Sequence, residues 1–174
     1  MKYEVTVTKD STVWRNPETN QYHRTDGPAC EHSDGDKKWY IDGKLHRTDG
    51  PACELSNGDK EWLEDGKLHR LDGPACEYSN GDKVWWVEGK VHRLNGPAIE
   101  YSDGSKEWWV EGKCHRTDGP AIELSNGTKC WYVEGMEYSE TDFNNLLEKV
   151  KLSTKVKPCL GKVVIVDGIE YTLS

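Results

Sequence analysis

A heptad with His and Arg occurs five times in this chain, four times with Asp and once with Asn95 in its place, and its polar side chains could serve acid–base chemistry. A histidine can act as a general base, and an aspartate can orient it. An enzyme, however, needs one asymmetric site, whereas five near-copies indicate a structural duty shared by every copy. We therefore predict no catalytic residues and no enzymatic activity. The repeated pairs are His23 and Arg24, His46 and Arg47, His69 and Arg70, His92 and Arg93, and His115 and Arg116.

The expected duty of the heptad is local. We expect Asp26 and its equivalents to accept backbone N–H groups in a turn; Asn95 takes this place in the fourth copy. We expect each arginine to bridge to an acid of the next unit, at about 0.5 kcal/mol for each partly exposed pair. The carboxylates that recur at a suitable position belong to Glu31, Glu54, Glu77, Glu100 and Glu123.

The heptads lie 23 residues apart, so the chain is a repeat array. Such a period is typical of stacked units that bury their apolar faces against their neighbours. After the heptad, each unit has Ser-Asn-Gly or Ser-Asp-Gly, and then a Lys two residues before a Trp. The repeated tryptophans, which we expect to form the core, are Trp39, Trp62, Trp85, Trp108 and Trp131.

The turn residues predict how one unit folds. Asn, Asp and Gly tolerate positive φ, so the Ser-Asn-Gly segment favours a two-residue hairpin turn. This turn would pair Cys76 with Trp85 and Ala75 with Trp86. A second turn is expected at an acid–Gly pair, followed by Lys-x-His-Arg as a return connector. We therefore expect two main strands in each unit, which add about 10 Å of sheet.

The two ends differ from the repeats. We expect residues 1–22 to form a capping half-repeat, residues 23–137 to form the five repeats, and residues 138–174 to form a cap. The segment Ser139-Glu140-Thr141-Asp142 resembles a capping box, and the apolar spacing after it predicts a short amphipathic helix. The segment from Val163 to Leu173 predicts a hairpin. The expected fold is all-β: an elongated array of stacked 23-residue β-hairpin repeats with a short C-terminal α-helix and a terminal hairpin cap.

Charge and cysteine usage limit the possible partners. The net charge is −8, and residues 23–137 carry 15 Lys and Arg against 23 Asp and Glu. This sign disfavours contact with nucleic-acid phosphates and favours a basic partner. Cys30, Cys53 and Cys76 share a repeat column with Ile99 and Ile122, so they should be small buried hydrophobes. We expect no metal and no cofactor, and the lack of an apolar leader or a long apolar run predicts a cytosolic protein.

The residues that follow the repeated tryptophans suggest a contact surface. Side chains alternate between the faces of a strand, so this second column should point away from the first and be exposed. Exposed aromatic residues are enriched in interfaces. The expected partner-binding residues are Trp86, Trp109, Tyr40, Tyr132, Glu88 and Glu111, with the Trp86–Trp109 pair at the centre; Leu63 occupies the same column in the second unit.

The period of 23, with Gly and aromatic residues at fixed offsets, resembles that of MORN repeats over residues 23–137. This resemblance implies two-stranded β-units in an elongated sheet and a role in protein interaction. The heptad His-Arg-x-Asp-Gly-Pro-Ala stands where an ordinary MORN unit has Gly-x-Gly. It is similar to the MORN-like repeats of large bacteriophages and giant DNA viruses, which implies a location in the host cytoplasm.

By analogy with other small acidic phage proteins, we expect an inhibitor that binds a host or antiviral-defence protein. Such an inhibitor should use aromatic residues surrounded by acids. A protein that sequesters a nucleotide or signal molecule should instead have a pocket between units containing Arg and Trp. A structural virion component or interaction scaffold is the third alternative, and it needs no enzyme target. We expect no membrane contact, and the oligomeric state stays open.

Overall fold

The computed structural model describes residues 2–154, 163–166 and 169–172, with side chains for residues 2–150. The chain divides into two compact units, Met1–Glu137 and Tyr138–Ser174. In chain order the elements are β1 (Glu4–Val7), β2 (Ser11–Arg15), β3 (Cys30–His32), β4 (Lys37–Lys38), β5 (Tyr40–Ile41), β6 (Lys44–Leu45), β7 (Cys53–Glu54), β8 (Lys60–Glu61), β9 (Leu63–Glu64), β10 (Lys67–Leu68), β11 (Cys76–Glu77), β12 (Lys83–Val84), β13 (Trp86–Val87), β14 (Lys90–Val91), β15 (Ile99–Glu100), β16 (Lys106–Glu107), β17 (Trp109–Val110), β18 (Lys113–Cys114), β19 (Ile122–Glu123), β20 (Lys129–Val133), β21 (Met136–Tyr138), α1 (Glu140–Thr154), β22 (Val163–Val166) and β23 (Ile169–Thr172).

An open antiparallel sheet of thirteen strands runs through the repeats. Each unit contributes one hairpin to it, and the second strand of a hairpin pairs with the first strand of the next, as in β3-β4-β7-β8. The all-β repeat fold and the two main strands per unit are therefore confirmed. The period of 23 residues corresponds to one hairpin of the large sheet plus its return path.

The register within each main hairpin differs by one residue from the prediction. Cys76 lies opposite Val84, not Trp85, and Glu77 lies opposite Lys83. Tyr78 N–H donates to the Asp82 carbonyl (3.0 Å), which leaves a three-residue loop. The predicted pairing of Cys76 with Trp85 and of Ala75 with Trp86 is wrong.

The reason for the shift is the turn type. Gly81 has φ +96°, but no Asn or Asp of these Ser-x-Gly loops has a positive φ. Gly81 N–H donates to the Tyr78 carbonyl (2.9 Å), as in a type I turn followed by a glycine bulge. The bulge adds one residue to the loop. Consequently the first four repeated tryptophans each bond to an alanine of the next unit, as Trp85 N–H does to the Ala98 carbonyl (2.8 Å).

The acid–Gly pair forms the tight two-residue turn instead. Glu88 has φ +50° and Gly89 has φ +75°, the pattern of a type I′ turn. The turn joins β13 to β14 in a small hairpin, with Trp86 opposite Val91. The expected return connector therefore begins as a strand.

Consecutive small hairpins are bonded to one another. Gly66 N–H in one turn donates to the Leu45 carbonyl of the preceding hairpin (2.9 Å), and Arg47 N–H donates to the Leu63 carbonyl (3.1 Å). These bonds repeat along the array, so a second row of backbone contacts accompanies the large sheet. Every unit is thus held to its neighbour at two places.

Most of the buried residues in the repeats are small. Ala52 and its four equivalents have no exposed surface, and Cys53 is buried beside Ala52 and Leu63 in a cluster flanked by Leu45 and Leu68. Burial raises the pKa of the Cys53 thiol to about 12, so this thiol stays protonated. Cys30 and Cys76 are buried as well, as the exchange with isoleucine predicts.

Glu and Lys alternate from strand to strand across the large sheet. Lys37 lies opposite Glu31 on one side and Glu54 on the other, and Glu54 in turn lies opposite Lys60. The same alternation continues to the pair of Glu123 and Lys129. Opposite charges across strands stabilise this pairing, and a slip of one strand would break it.

The ends follow the predicted elements. Strands β1 and β2 pair from Glu4 with Arg15 to Val7 with Thr12. Ser139 Oγ accepts the Asp142 N–H (3.1 Å) at the start of α1, which confirms the helix cap. Strands β22 and β23 form the terminal hairpin; its predicted turn, Asp167-Gly168, lies outside the described residues, as does Leu173.

The positive φ of Glu88 can be tested by substitution. Asparagine tolerates this conformation better than glutamate, and a β-branched residue tolerates it worst. We expect the urea midpoint of Glu88→Asn to equal or exceed that of the parent chain. For Glu88→Val we expect the free energy of unfolding to fall by about 1–3 kcal/mol. High salt should be used, because it weakens the ion pair that Glu88 makes with Lys67. Equal midpoints for the two variants would contradict the turn assignment.

Candidate binding surface on the connectors

The repeated heptads, here named connectors, link each small hairpin to the next strand of the large sheet. They comprise residues 23–29, 46–52, 69–75, 92–98 and 115–121. Backbone bonds fix where each connector starts: His46 N–H donates to the Trp39 carbonyl (3.0 Å) of the preceding unit. The histidine, the arginine and the aspartate (Asn95 in the fourth copy) are therefore presented at the same position of every unit.

The arginine holds each connector closed. Arg47 donates from Nε to Asp49 Oδ1 (2.8 Å) and from Nη1 to the Pro51 carbonyl (3.2 Å) and Glu54 Oε1 (3.1 Å). The guanidinium packs so tightly into the loop that a Cβ at Gly50 would lie 2.8 Å from Arg47 Cζ. This packing explains the glycine of the heptad.

Two of the predicted contacts need correction. The connector aspartate accepts the arginine Nε–H and not a backbone N–H as its main partner. The acids that bind the arginine belong to its own unit and not to the next unit. The reason is that the connector curls back over its own arginine, which brings the heptad aspartate and the following glutamate within reach.

The face of each guanidinium covers a tryptophan of the preceding unit. Arg47 Cζ lies 4.1 Å from the centre of the Trp39 ring. The same contact joins Arg70 to Trp62, Arg93 to Trp85 and Arg116 to Trp108, at 3.8 to 4.1 Å. Arg24 lies over Trp14 at 4.0 Å, so the N-terminal segment supplies the first ring of the series. A cation over an indole ring gains up to about 2 kcal/mol when partly desolvated.

The connector histidine positions the type I′ turn. His69 Nδ1 accepts the Glu88 N–H (3.3 Å), and the Glu88 carboxylate lies 3.0 Å from the same nitrogen. His46, His92 and His115 make the same bond to their turn acids, and His23 makes it to Asp42. The Nδ1 lone pair is thereby used within the fold, at a turn residue whose positive φ needs support.

The carboxylates of the connectors face solvent, whereas their arginines do not. The side chains of Asp26, Asp49, Asp72 and Asp118 are 69% to 85% exposed, against 19% to 22% for the arginines they bind. The hydrogen bond from Arg47 lowers the pKa of Asp49, and Asp72 is affected in the same way by Arg70. The connectors thus present a row of ionised carboxylates.

A second row of carboxylates lies on the type I′ turns. Its members are Asp42, Asp65, Glu88, Glu111 and Glu134, all more than half exposed. Lys90 donates to Glu111 across units (2.9 Å), and this bond lowers the pKa of Glu111. Because the histidines bond to the turns, the two rows are neighbours.

Clefts separate successive connectors. The cleft between the first two has a volume of about 500 Å³ and is lined by Arg24, Asp26, Trp39, Arg47 and Asp49, among others. Equivalent clefts lie between the second and third connectors (about 370 Å³) and between the fourth and fifth (about 700 Å³). Each contains one tryptophan and two arginines, the lining expected of a protein that sequesters a nucleotide.

The two tryptophan columns are not divided into a core face and an exposed face. The expectation that the second column is exposed is wrong at Leu63, which belongs to the buried cluster. Tyr40, Trp86, Trp109 and Tyr132 are only partly exposed, and so are the five repeated tryptophans. Trp86 Nε1 is buried without a partner, and Trp109 Nε1 donates to Glu107 Oε2 (2.8 Å). A role of these residues in binding stays a prediction.

Two exposed leucines were missed by the sequence reasoning. Leu71 is 80% exposed and Leu94 is 73% exposed, at the third position of neighbouring connectors. The sequence could have indicated them, because the other three connectors have threonine at this position.

No family model matches the chain, and no curated protein matches it at a significant level. The structure itself is consistent with a MORN-like array, because β-hairpins recur with the 23-residue period. Within the part of the chain described above, no helix is long and apolar enough to cross a membrane.

The connector arginines provide a matched pair of substitutions. Arg70 donates to Asp72, Pro74 and Glu77, whereas Arg93 donates only to Pro97 and Glu100, since Asn95 replaces the aspartate. Lysine cannot reproduce the planar fork of arginine. We expect Arg70→Lys to lower the free energy of unfolding by about 1–2 kcal/mol and Arg93→Lys to lower it less. Urea denaturation followed by circular dichroism measures both, and a larger loss for Arg93→Lys would contradict this account.

The same aspartates predict a pH dependence. Bonds from arginine lower the folded-state pKa of Asp26, Asp49 and Asp72. Their contribution is complete above the unfolded pKa of about 3.9 and is lost as the pH falls below it. We expect the melting temperature to be steady from about pH 7 to pH 5 and to fall below about pH 4. Replacing the three aspartates by asparagine should make the fall in melting temperature below pH 4 less steep, while Glu18→Gln should leave it unchanged. Part of the fall should remain, because the pKa values of other carboxylates, among them Asp36, Asp59 and Asp118, are lowered as well.

Proposed function

We propose that this chain is a non-enzymatic binding protein whose connector carboxylates capture a basic region of a partner protein. The observation that carries the proposal is the difference in exposure within each Arg–Asp pair: the carboxylate faces solvent and the guanidinium is covered. A partner approaching the connectors therefore meets negative charge. Charge complementarity of this kind steers association and selects partners.

The spacing of the units favours an extended basic segment. Each unit adds two strands to the large sheet, so equivalent aspartates recur about every 9.6 Å over the first three connectors and again at the fifth, where Asp118 follows Asn95 of the fourth. A polyproline II segment rises about 3.1 Å per residue with three residues per turn, so every third side chain faces the same way about every 9.3 Å. We infer that Lys or Arg at every third position of such a segment would meet successive connectors.

The small hairpins of the third and fourth units extend this surface. Each carries a partly exposed tryptophan, Trp86 or Trp109, and an exposed acid, Glu88 or Glu111. Tyr40 and Tyr132 hold the same position in the first and fifth units. We propose that these residues add apolar contact at the border of the carboxylate rows.

We further propose a viral setting for this binding. The support is the resemblance of the heptad to MORN-like repeats of large bacteriophages and giant DNA viruses, together with the acidic balance of the repeats. The partner would then be a host or antiviral-defence protein in the host cytoplasm, and binding would inhibit it. Capture from a host lysate by the parent chain, and not by a connector variant, would identify such a partner.

A pair of synthetic peptides tests the spacing. In one peptide five lysines occupy every third position, with two prolines between neighbouring lysines. The other peptide has the same composition, but its lysines are adjacent. We expect the spaced peptide to bind more tightly in fluorescence anisotropy, and the affinity to fall with added salt. The variant Asp26→Asn, Asp49→Asn and Asp72→Asn should weaken binding by roughly tenfold or more.

A second variant controls for net charge. Glu4→Gln, Asp10→Asn and Glu18→Gln remove the same number of acids outside the connectors. Equal weakening by the two variants would show that the connectors are not the binding surface. Equal binding of the two peptides would show that the spacing of the connectors does not select the bound segment.

A further inference from the structure

The fourth connector departs from the others in the partner of its arginine and in the backbone of its glycine, since Gly96 has φ +143° and the other four connector glycines have no positive φ. The Nε–H groups of Arg24, Arg47, Arg70 and Arg116 each donate to an aspartate Oδ1 at 2.7 to 2.9 Å. Asn95 takes the place of that aspartate beside Arg93, and among the described residues no side chain accepts the Arg93 Nε–H. One donor of a repeated set is thus left open.

The Arg93 guanidinium is nevertheless held in place. Its Nη1 donates to the Pro97 carbonyl (2.9 Å) and to Glu100 Oε1 (2.8 Å), and its Cζ lies 3.8 Å from the centre of the Trp85 ring. Its side chain is 28% exposed, more than that of the other connector arginines. A fixed guanidinium with an open Nε–H edge is prepared to bind an oxyanion.

The cleft beside this connector also differs in charge and size. Its lining contains Arg93 and Arg116 against one carboxylate, that of Asp118. The cleft between the second and third connectors is lined by two arginines and by three carboxylates, those of Asp49, Glu64 and Asp72. At about 700 Å³ the cleft between the fourth and fifth connectors exceeds the clefts between the first two (about 500 Å³) and between the second and third (about 370 Å³), and it lies within the size range of small-molecule sites.

We propose that the cleft between the fourth and fifth connectors binds a small molecule through a carboxylate or phosphate group at Arg93 Nε. The anion oxygen would take the position that an aspartate oxygen occupies in the other four connectors. The rest of the molecule would lie against Leu94, Trp108 and Val110, which line the same cleft. This site does not depend on the carboxylates of the first three connectors, and so it stands apart from the proposed capture of a basic partner.

The missing aspartate supplies the test. The Nε–H signals of the arginines can be followed by NMR while the chain is titrated with inorganic phosphate, benzoate, adenosine monophosphate or adenosine. We expect phosphate-bearing or carboxylate-bearing probes to shift the Arg93 signal, and adenosine to have no effect. Comparison of benzoate with adenosine monophosphate distinguishes a carboxylate ligand from a phosphate ligand.

Asn95→Asp restores the connector pattern of the other units, so this variant should fold. Its Arg93 Nε–H signal should no longer shift when the anions are added. Conversely, Asp72→Asn should open a second site, with a shift of the Arg70 signal on addition of the same anions. Absence of an anion-dependent shift of Arg93 at millimolar probe, or a titration that survives Asn95→Asp, would overturn the proposal.

Discussion

The contact between each connector arginine and the tryptophan of the preceding unit is the interaction on which this array depends. The guanidinium faces the indole ring, while its edges bond to the aspartate, the proline carbonyl and the glutamate of its own unit. One side chain thus closes a loop and joins two units. Few large apolar residues are buried in the described repeats, so a polar residue supplies much of the order between units.

The period, the all-β fold and the helix cap could be predicted because they depend on local patterns. The hairpin register could not, because both turn segments contain a glycine and both fit a tight turn. The glutamate in a left-handed conformation at position 88 is supported by a bond to His69 from the preceding connector. This bond is a tertiary contact, so it could not be predicted from the intrinsic conformational preference of Glu88.

The assignment of the two tryptophan columns failed for a different reason. Alternation of side chains holds within one strand, but β4 ends at Lys38 and β5 begins at Tyr40, with Trp39 between them. The chain passes there from the large sheet to the small hairpin. Four tryptophans of the first column consequently lie under arginines, and Leu63 of the second column packs beside Leu45 and Leu68 of the small hairpins. The exposed side of each Arg–Asp pair likewise depends on how the connector folds over its arginine.

The alternation of Glu and Lys along the large sheet gives each unit a direction. A unit enters the sheet with a strand bearing Glu and leaves it with a strand bearing Lys, as in Glu54 and Lys60. Each leaving strand therefore suits the entering strand of any other unit, but not a second leaving strand. Whole units can be gained or lost by duplication or deletion without disturbing the pairing, whereas a partial insertion would place like charges side by side. The array therefore resembles a polymer with two different ends, and evolution can change its length by one complete unit at a time.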